Sequence, residues 1–181
     1  MTSLSVYHES SADQPNKVLT HLEDIASTLA EVGVHFERWQ AVMPLVPGCS
    51  DEQVLAAYRP QVEQLMSERG YAAVDVLSIS DEHPDQAELH TRFLGEQRQA
   101  ADQVRFFVVG SGLFNLHIDD YVYAVLCEKG DLIALPAGTR QWFDMGEHPH
   151  FVMIRLSSAA DGWEGELTGD NIASRFPRLD D

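Results

Sequence analysis

The stretch GEQRQAADQVRFFVVG, Gly95 to Gly110, sets glutamine at Gln97, Gln99 and Gln103 and closes on a glycine. Written out, it is Q-x-Q-x3-Q-x6-G. A second block follows: Gly130, five residues, Pro136-Ala137-Gly138, two residues, Gln141. Residues two apart on a strand share a face. Gln97 and Gln99 are therefore expected to point together, Arg105 to share the face of Gln103, and Arg98 to point the other way. Around these blocks run short apolar segments, VRFFVV, LFNLHI, YVYAVLC, LIAL and FVMIRL, separated by Gly110-Ser111-Gly112, Asp119-Asp120, Lys129-Gly130-Asp131 and Pro136-Ala137-Gly138. Closely spaced strands with Gly and Asp turns argue for an antiparallel barrel or sandwich.

Upstream the texture is mixed. NKVLTHLEDIASTLAEVG places Val18, Leu22, Ile25, Leu29 and Val32 on one helix face, closed by Gly33. VHFERW alternates as a short strand, with Val34 and Phe36 on one side. Ser50 followed by Gln53 is a capping-box signal for a helix running toward Gly70, with Pro60 as a point of kinking. VDVLSI (Val74 to Ile79) reads as a strand and DQAELHTRFLG as a short helix. The tail beyond residue 157 is expected to be irregular or short-helical.

The two blocks, in order and at this separation, resemble the paired signatures of the cupin superfamily. The resemblance implies a mainly β fold with some α: a double-stranded β-helix, or jelly-roll, barrel. One domain is expected, with a helical and mixed part over about 1–95, the barrel over about 96–157 and a tail over 158–181. GVHFERWQA, EKGDLIALPAGTRQWFDMG and GDNIASRFPRLD narrow the resemblance to acireductone dioxygenase, the metal-dependent cupin of methionine salvage. In that family HTHGEDEVRFF stands where this chain has QRQAADQVRFF, and HTPHWFDMG where it has GTRQWFDMG. The family's three histidines and one glutamate fall on Gln97, Gln99, Gln103 and Gln141. Of the ten glutamines in the chain, four occupy these four positions. Random decay would scatter residue types, so a selected polar lining is the better reading.

A carboxamide has no basic nitrogen and no charge, and its oxygen is a poor ligand for iron or nickel beside imidazole or carboxylate. The expectation is therefore no metal and no other cofactor. His90, His117, His148 and His150 do not stand at motif spacing and are not expected to substitute as ligands. The resemblance carries other pocket positions over. Arg105 matches the arginine that holds the oxygen-rich end of the substrate, Arg155 a second inward arginine, and Phe93, Phe143 and Trp163 the apolar wall. A buried guanidinium keeps its proton and needs a carboxylate or an anionic ligand. Asp102 and Asp144 are the candidate partners.

Composition bounds the alternatives. A formal net charge of −17 over 181 residues repels nucleic acid and anionic membrane. Cys49 and Cys127 are too few for a disulfide framework. The first residues lack the charged and apolar regions of a secretory signal, and no apolar run spans a bilayer, so a cytoplasmic location is expected. The expected partner is a small oxygenated metabolite, and a monomer is the simplest assembly. The preferred function is a metal-independent enzyme acting on an enediol, β-dicarbonyl or keto-acid-type substrate by isomerisation, tautomerisation, C–C cleavage or cofactor-free oxygenation. Arg105 and His117 are the catalytic candidates; Glu96, Asp102 and His117 are the nearest titratable groups. Two other functions stand beside it: a non-catalytic binding module for an acireductone-like metabolite, and a metal-dependent dioxygenase with an atypical site.

Overall fold

The computed structural model describes residues 1–41, 45, 49–80, 82–160, 163 and 165–180. In chain order the elements are β1 (Ser3–His8), β2 (Lys17–Leu19), α1 (Leu22–Ala30), β3 (His35–Arg38), α2 (Asp51–Ala57), α3 (Arg59–Arg69), β4 (Ala73–Ile79), α4 (Gln86–Leu94), β5 (Gln97–Arg98), β6 (Gln103–Val109), β7 (Ser111–Ile118), β8 (Tyr121–Glu128), β9 (Asp131–Leu135), β10 (Arg140–Asp144), β11 (Phe151–Ser157) and β12 (Glu166–Leu167). A 3-10 turn, Ile172–Arg175, follows. The strands form a seven-stranded sheet, β12-β5-β10-β7-β8-β1-β2, facing a five-stranded one, β3-β9-β6-β11-β4. This is the expected cupin barrel.

β6 explains why the five-stranded sheet needs a cover. Its sequence QVRFFVV is buried from Gln103 to Val108, so both faces of the strand lie out of water. Phe107 belongs to the interior cluster with Phe114, Phe143 and Met153. Val104, Phe106 and Val108 point the other way, into a cluster with Val54, Ala57, Tyr58, Val62 and Leu65. Helices α2 and α3 supply that second layer. Ser50 caps α2 with the full reciprocal capping box to Gln53, and Gly70 ends α3 in the left-handed conformation. Pro60 falls in the first turn of α3 and separates two helices, so the expected kink is a break, placed where the missing N–H costs nothing.

The structure departs from the sequence reading at both ends. Val18 is not on a helix face: it lies in β2, pairs with Ser5 of β1 and is 57% exposed. Helix α1 begins only at Leu22, because pairing with β1 claims the preceding residues for a hairpin. β1 itself was not anticipated. Leu4 and Val6 are buried on one side of it, and it lies between β8 and the edge strand β2 in the larger sheet. In the tail, β12 is a two-residue strand paired with β5. Of the tail residues, Asp161, Gly162, Glu164 and Asp181 lie outside those described.

Glycine at two positions fixes the sheet beside the barrel mouth. Gly110 turns β6 into β7 at φ +82°, and a Cβ there would strike the carbonyl of His150 and the backbone of Phe151. At Gly112 a Cβ would drive into the ring of Phe143, which is stacked on Phe114 at 4.4 Å between centroids. Gly112→Ala is expected to destabilise the chain by about 1–3 kcal/mol through overpacking, read as a lowered urea midpoint at unchanged slope. An unchanged midpoint would show that Phe143 is free to move aside.

Candidate functional site

Strands β5, β6, β10 and β11, with helix α4 and the tail, surround a cavity of about 160 Å³. Gln97, Gln99, Gln141, Arg105, Arg155, Phe93, Phe143 and Trp163 all line it, joined by Arg92, Leu77, Phe114, Trp142, Met153 and Gly165. Alternation places them as expected. Gln97 and Gln99 face inward while Arg98 between them is exposed. Gln97 is the direct cross-strand partner of Gln141. Gln103 is the exception: it is not on the lining. It is 1% exposed and lies under Arg105, accepting a 2.6 Å bond from Nη1 through Oε1 and donating through Nε2 to Ser157 Oγ at 3.2 Å.

The amides are linked to one another and to Arg105. Gln141 Nε2 donates to Gln99 Oε1 at 3.1 Å, and Arg105 Nη2 approaches the same oxygen at 3.4 Å. Nη1 of Arg105 also reaches the carbonyl of Val104. No described carboxylate forms an ion pair with this guanidinium, although it is only 6% exposed. Burial, aided by the nearby charge of Arg155 and opposed by Asp75, lowers it from 12.5 to about 9.

The expected partners are engaged elsewhere. Asp102 accepts the N–H of Ala137 at 2.7 Å and so ties down the Pro136–Gly138 turn. Asp144 accepts from the backbone of Gly146 and Leu179 and lies 3.7 Å from His90. Short acidic side chains next to tight turns cap backbone N–H groups before they reach across a barrel. The carboxylate near the pocket is Asp75 on β4, and it holds Arg155 through Nε at 2.8 Å and Nη2 at 2.5 Å. Cross-strand register would have found it: Asp75 is opposite Arg155, and Arg155 opposite Arg105. Sequence alone does not give that register. Trp163 covers the Arg155 guanidinium at 4.8 Å from its ring centroid.

His117, a catalytic candidate from sequence, is not on the cavity lining. Leu116 next to it is in the interior cluster, so alternation turns His117 to the outer side of the seven-stranded sheet. There Nδ1 lies 2.7 Å from Glu96 and Nε2 2.8 Å from Glu9. Glu96 also accepts from Thr168 Oγ1 at 2.7 Å. Glu96, His117 and the exposed Asp170 bring ligand-type atoms within 4.8 Å of one another, the one such group among the described residues. Each imidazole nitrogen of His117 already lies within hydrogen-bond distance of a carboxylate oxygen. The cluster reads as a brace joining the loop after β1, β5, β7 and the tail.

The metal implied by the resemblance does not suit the donors that stand in its place. Gln99 and Gln103 turn their oxygens to N–H groups, a guanidinium lies among the amides, and none of the four side chains carries charge. Imidazole and carboxylate ligands hold a transition ion because they supply basic lone pairs or charge, and carboxamides supply neither.

Comparison with known proteins gives a consistent result. The pattern of the ARD/ARD' family matches residues 3–165. Acireductone dioxygenase of Pseudomonas syringae pv. syringae (strain B728a) is 66% identical over 181 residues, all of both chains. That of Pseudomonas aeruginosa (strain UCBPP-PA14) is 61% identical over the same span. Among solved structures, acireductone dioxygenase from Bacillus anthracis with cadmium ion in its active centre superposes with a TM-score of 0.79 at 28% identity, covering 92% of this chain and 98% of that one.

The brace generates a prediction. His117→Ala leaves the buried Glu96 with only the Thr168 hydroxyl and is expected to cost about 3 kcal/mol, measured by denaturant unfolding. Ligand affinity at the cavity is expected to be unchanged in the folded protein. A large loss of affinity at intact stability would place His117 in the site.

Proposed function

The chain belongs to the ARD/ARD' family, and on that premise we propose that it binds an ionised acireductone-type enediolate and directs its reaction with dioxygen without a metal. The observation that carries this reading is Arg105: a guanidinium withdrawn from water, next to neutral amides, with no described carboxylate on it. Such a group is satisfied by an anion. The amide N–H groups of Gln97, Gln99 and Gln141 add donors that suit enolate oxygens, as an oxyanion hole does. Phe93, Phe143, Leu77 and Met153 offer an apolar wall to the rest of the molecule.

The described lining residues include no Asp, Glu, His, Lys, Cys or Tyr. Isomerisation and tautomerisation both move a proton to or from carbon and need an acceptor at the site. Oxygenation of a preformed enediolate does not. The electron-rich anion gives one electron to dioxygen, and the two radicals combine to form a C–O bond. Attack of the resulting peroxide on the neighbouring carbon closes a four-membered ring, whose collapse breaks both the C–C and the O–O bond and leaves one oxygen atom in each fragment. Cofactor-free oxygenation is therefore favoured among the metal-independent reactions. The same lack of a proton acceptor supports one further reading, a binding module that holds the enediolate without turnover.

Dioxygen uptake separates the two. Purified protein with an acireductone-type enediol and excess chelator is expected to consume dioxygen faster than the enediol alone. Saturable binding with no acceleration would leave a binding module, and uptake abolished by chelator would restore metal dependence. In anaerobic titration Arg105→Ala is expected to abolish binding, and alanine at Gln97, Gln99 or Gln141 to weaken it by about 1–3 kcal/mol. Normal binding by Arg105→Ala would sink the reading.

The pH profile has a definite sign. Arg105 holds the anion only when protonated, so affinity is expected to be kept at lower pH and to fall as pH rises through about 9. A titration series over that range checks it.

A further inference from the structure

The outer face of the seven-stranded sheet carries a second cavity, of about 180 Å³. Two cross-strand rows make its floor: Asn115 of β7, Ala124 of β8 and Ser5 of β1, and beside them Leu113, Leu126 and Ser3. β7 divides this cavity from the barrel. Phe114 lines the barrel, while Leu113 and Asn115, by alternation, face out. The hollow follows from residue size, since Ala124 and Ser5 are too short to reach the chain that crosses above them. That strap is Pro177, Arg178 and Leu179. It is pinned at both ends. Phe176 packs edge-on against Tyr7, with centroids 5.5 Å apart, and against Trp142 at 5.9 Å. At the other end the N–H of Leu179 donates to Asp144 at 2.9 Å, and that of Glu147 to Asp180 at 2.6 Å.

Asn115 gives this hollow its chemistry. It is 1% exposed, and its Nδ2 has no hydrogen-bond partner among the described residues. A buried donor left unmet costs stability. Water fills the space poorly. About six molecules are needed at ~30 Å³ each, and each calls for roughly two to four polar partners. The polar side chains of the described lining are Ser3, Ser5, Tyr7, Asn115 and Arg178, and the rest is hydrocarbon. We propose that the cavity binds a small neutral carbonyl compound with a compact apolar body. The carbonyl oxygen accepts from Asn115 Nδ2, and the body lies between Leu113 and Leu126 of the sheet and Pro177 and Leu179 of the strap. Charge favours a neutral head. Arg178 is the one charged side chain on the described lining, and the carboxylates of Asp144 and Asp180 stand at the Leu179 end of the strap. One guanidinium beside two carboxylates, on a chain of net charge −17, does not select an anion. A cation would bring donors where Asn115 needs an acceptor. The site is separate from the barrel cavity and independent of the enediolate reading.

The test is titration of the nitrogen-15-labelled chain with cyclohexanone, followed through the side-chain amide signals by NMR. Cyclohexylammonium chloride and sodium cyclohexanecarboxylate are the charged controls. The Asn115 carboxamide reports this cavity, and those of Gln99 and Gln141 report the barrel. Cyclohexanone is expected to move the Asn115 signals to saturation and to bind there at least about tenfold more tightly than either control. Ala124→Leu, which fills the hollow from the floor, is expected to abolish the shift. Ser5→Leu fills it from the next strand and serves where Ala124→Leu does not fold. A response confined to the barrel glutamines, or none at Asn115, shows a cavity that holds only water and overturns the proposal. Tighter binding by either charged control, or an unaltered response in a folded filled variant, overturns it as well.

Discussion

The guanidinium of Arg105 lies in the middle of a barrel strand, with water excluded on one side by Phe107 and on the other by the helix-covered face of β6. Arginine keeps its charge under ordinary conditions, so the surroundings must supply the compensation. Gln103 and the carbonyl of Val104 supply dipoles, not charge. The one carboxylate in the cross-strand row is held by Arg155. A buried, underpaired cation costs stability, and a chain keeps one when a ligand makes up the difference. The arrangement of the pocket follows from that constraint: amides that can donate or accept, a second arginine already neutralised, and an apolar wall away from the charge.

The same constraint accounts for the layering. A strand that carries Gln103 and Arg105 inward needs strong apolar anchorage elsewhere to stay buried. Val104, Phe106 and Val108 provide it on the opposite face, against α2 and α3. The helical portion that precedes the barrel is thus coupled to the pocket through one strand. The seven-stranded sheet solves its own problem with the Glu96–His117–Glu9 chain, buried at Glu96 and His117, which joins segments distant in sequence on the side away from the cavity.

The barrel was legible in the sequence because its determinants are local. Strand alternation and Gly or Asp turns are read residue by residue, and the two blocks assign Gln97, Gln99 and Gln141 to one interior. Inward placement of Arg105 followed from the same two-residue rule. What sequence did not give was pairing across strands. Asp75 belongs to a segment read correctly as a strand, yet its partnership with Arg155 depends on β4 lying beside β11. The nearer acids, Asp102 and Asp144, were plausible by distance along the chain and were taken instead by backbone N–H groups. β1 was missed because six residues at a chain end carry only two buried positions, Leu4 and Val6, and gain their order from β8.

Position 103 shows how much one atom decides. The family pattern implies a glutamate there, and this chain has glutamine. A carboxylate 2.6 Å from the guanidinium would neutralise Arg105 directly. The carboxamide has nearly the same shape and still accepts from Nη1, while its nitrogen finds Ser157. It therefore keeps the packing and withholds the charge. A site with a divalent cation and a glutamate at 103 would carry one more positive unit than these side chains alone, since such an ion bears two charges and a carboxylate one. The glutamines at 97, 99, 103 and 141 add no charge of their own and leave that of Arg105 in place. Decay that erased the site at random would have no reason to leave one buried positive unit, amide donors around it and an intact apolar wall. A pocket that holds an organic anion would use all three.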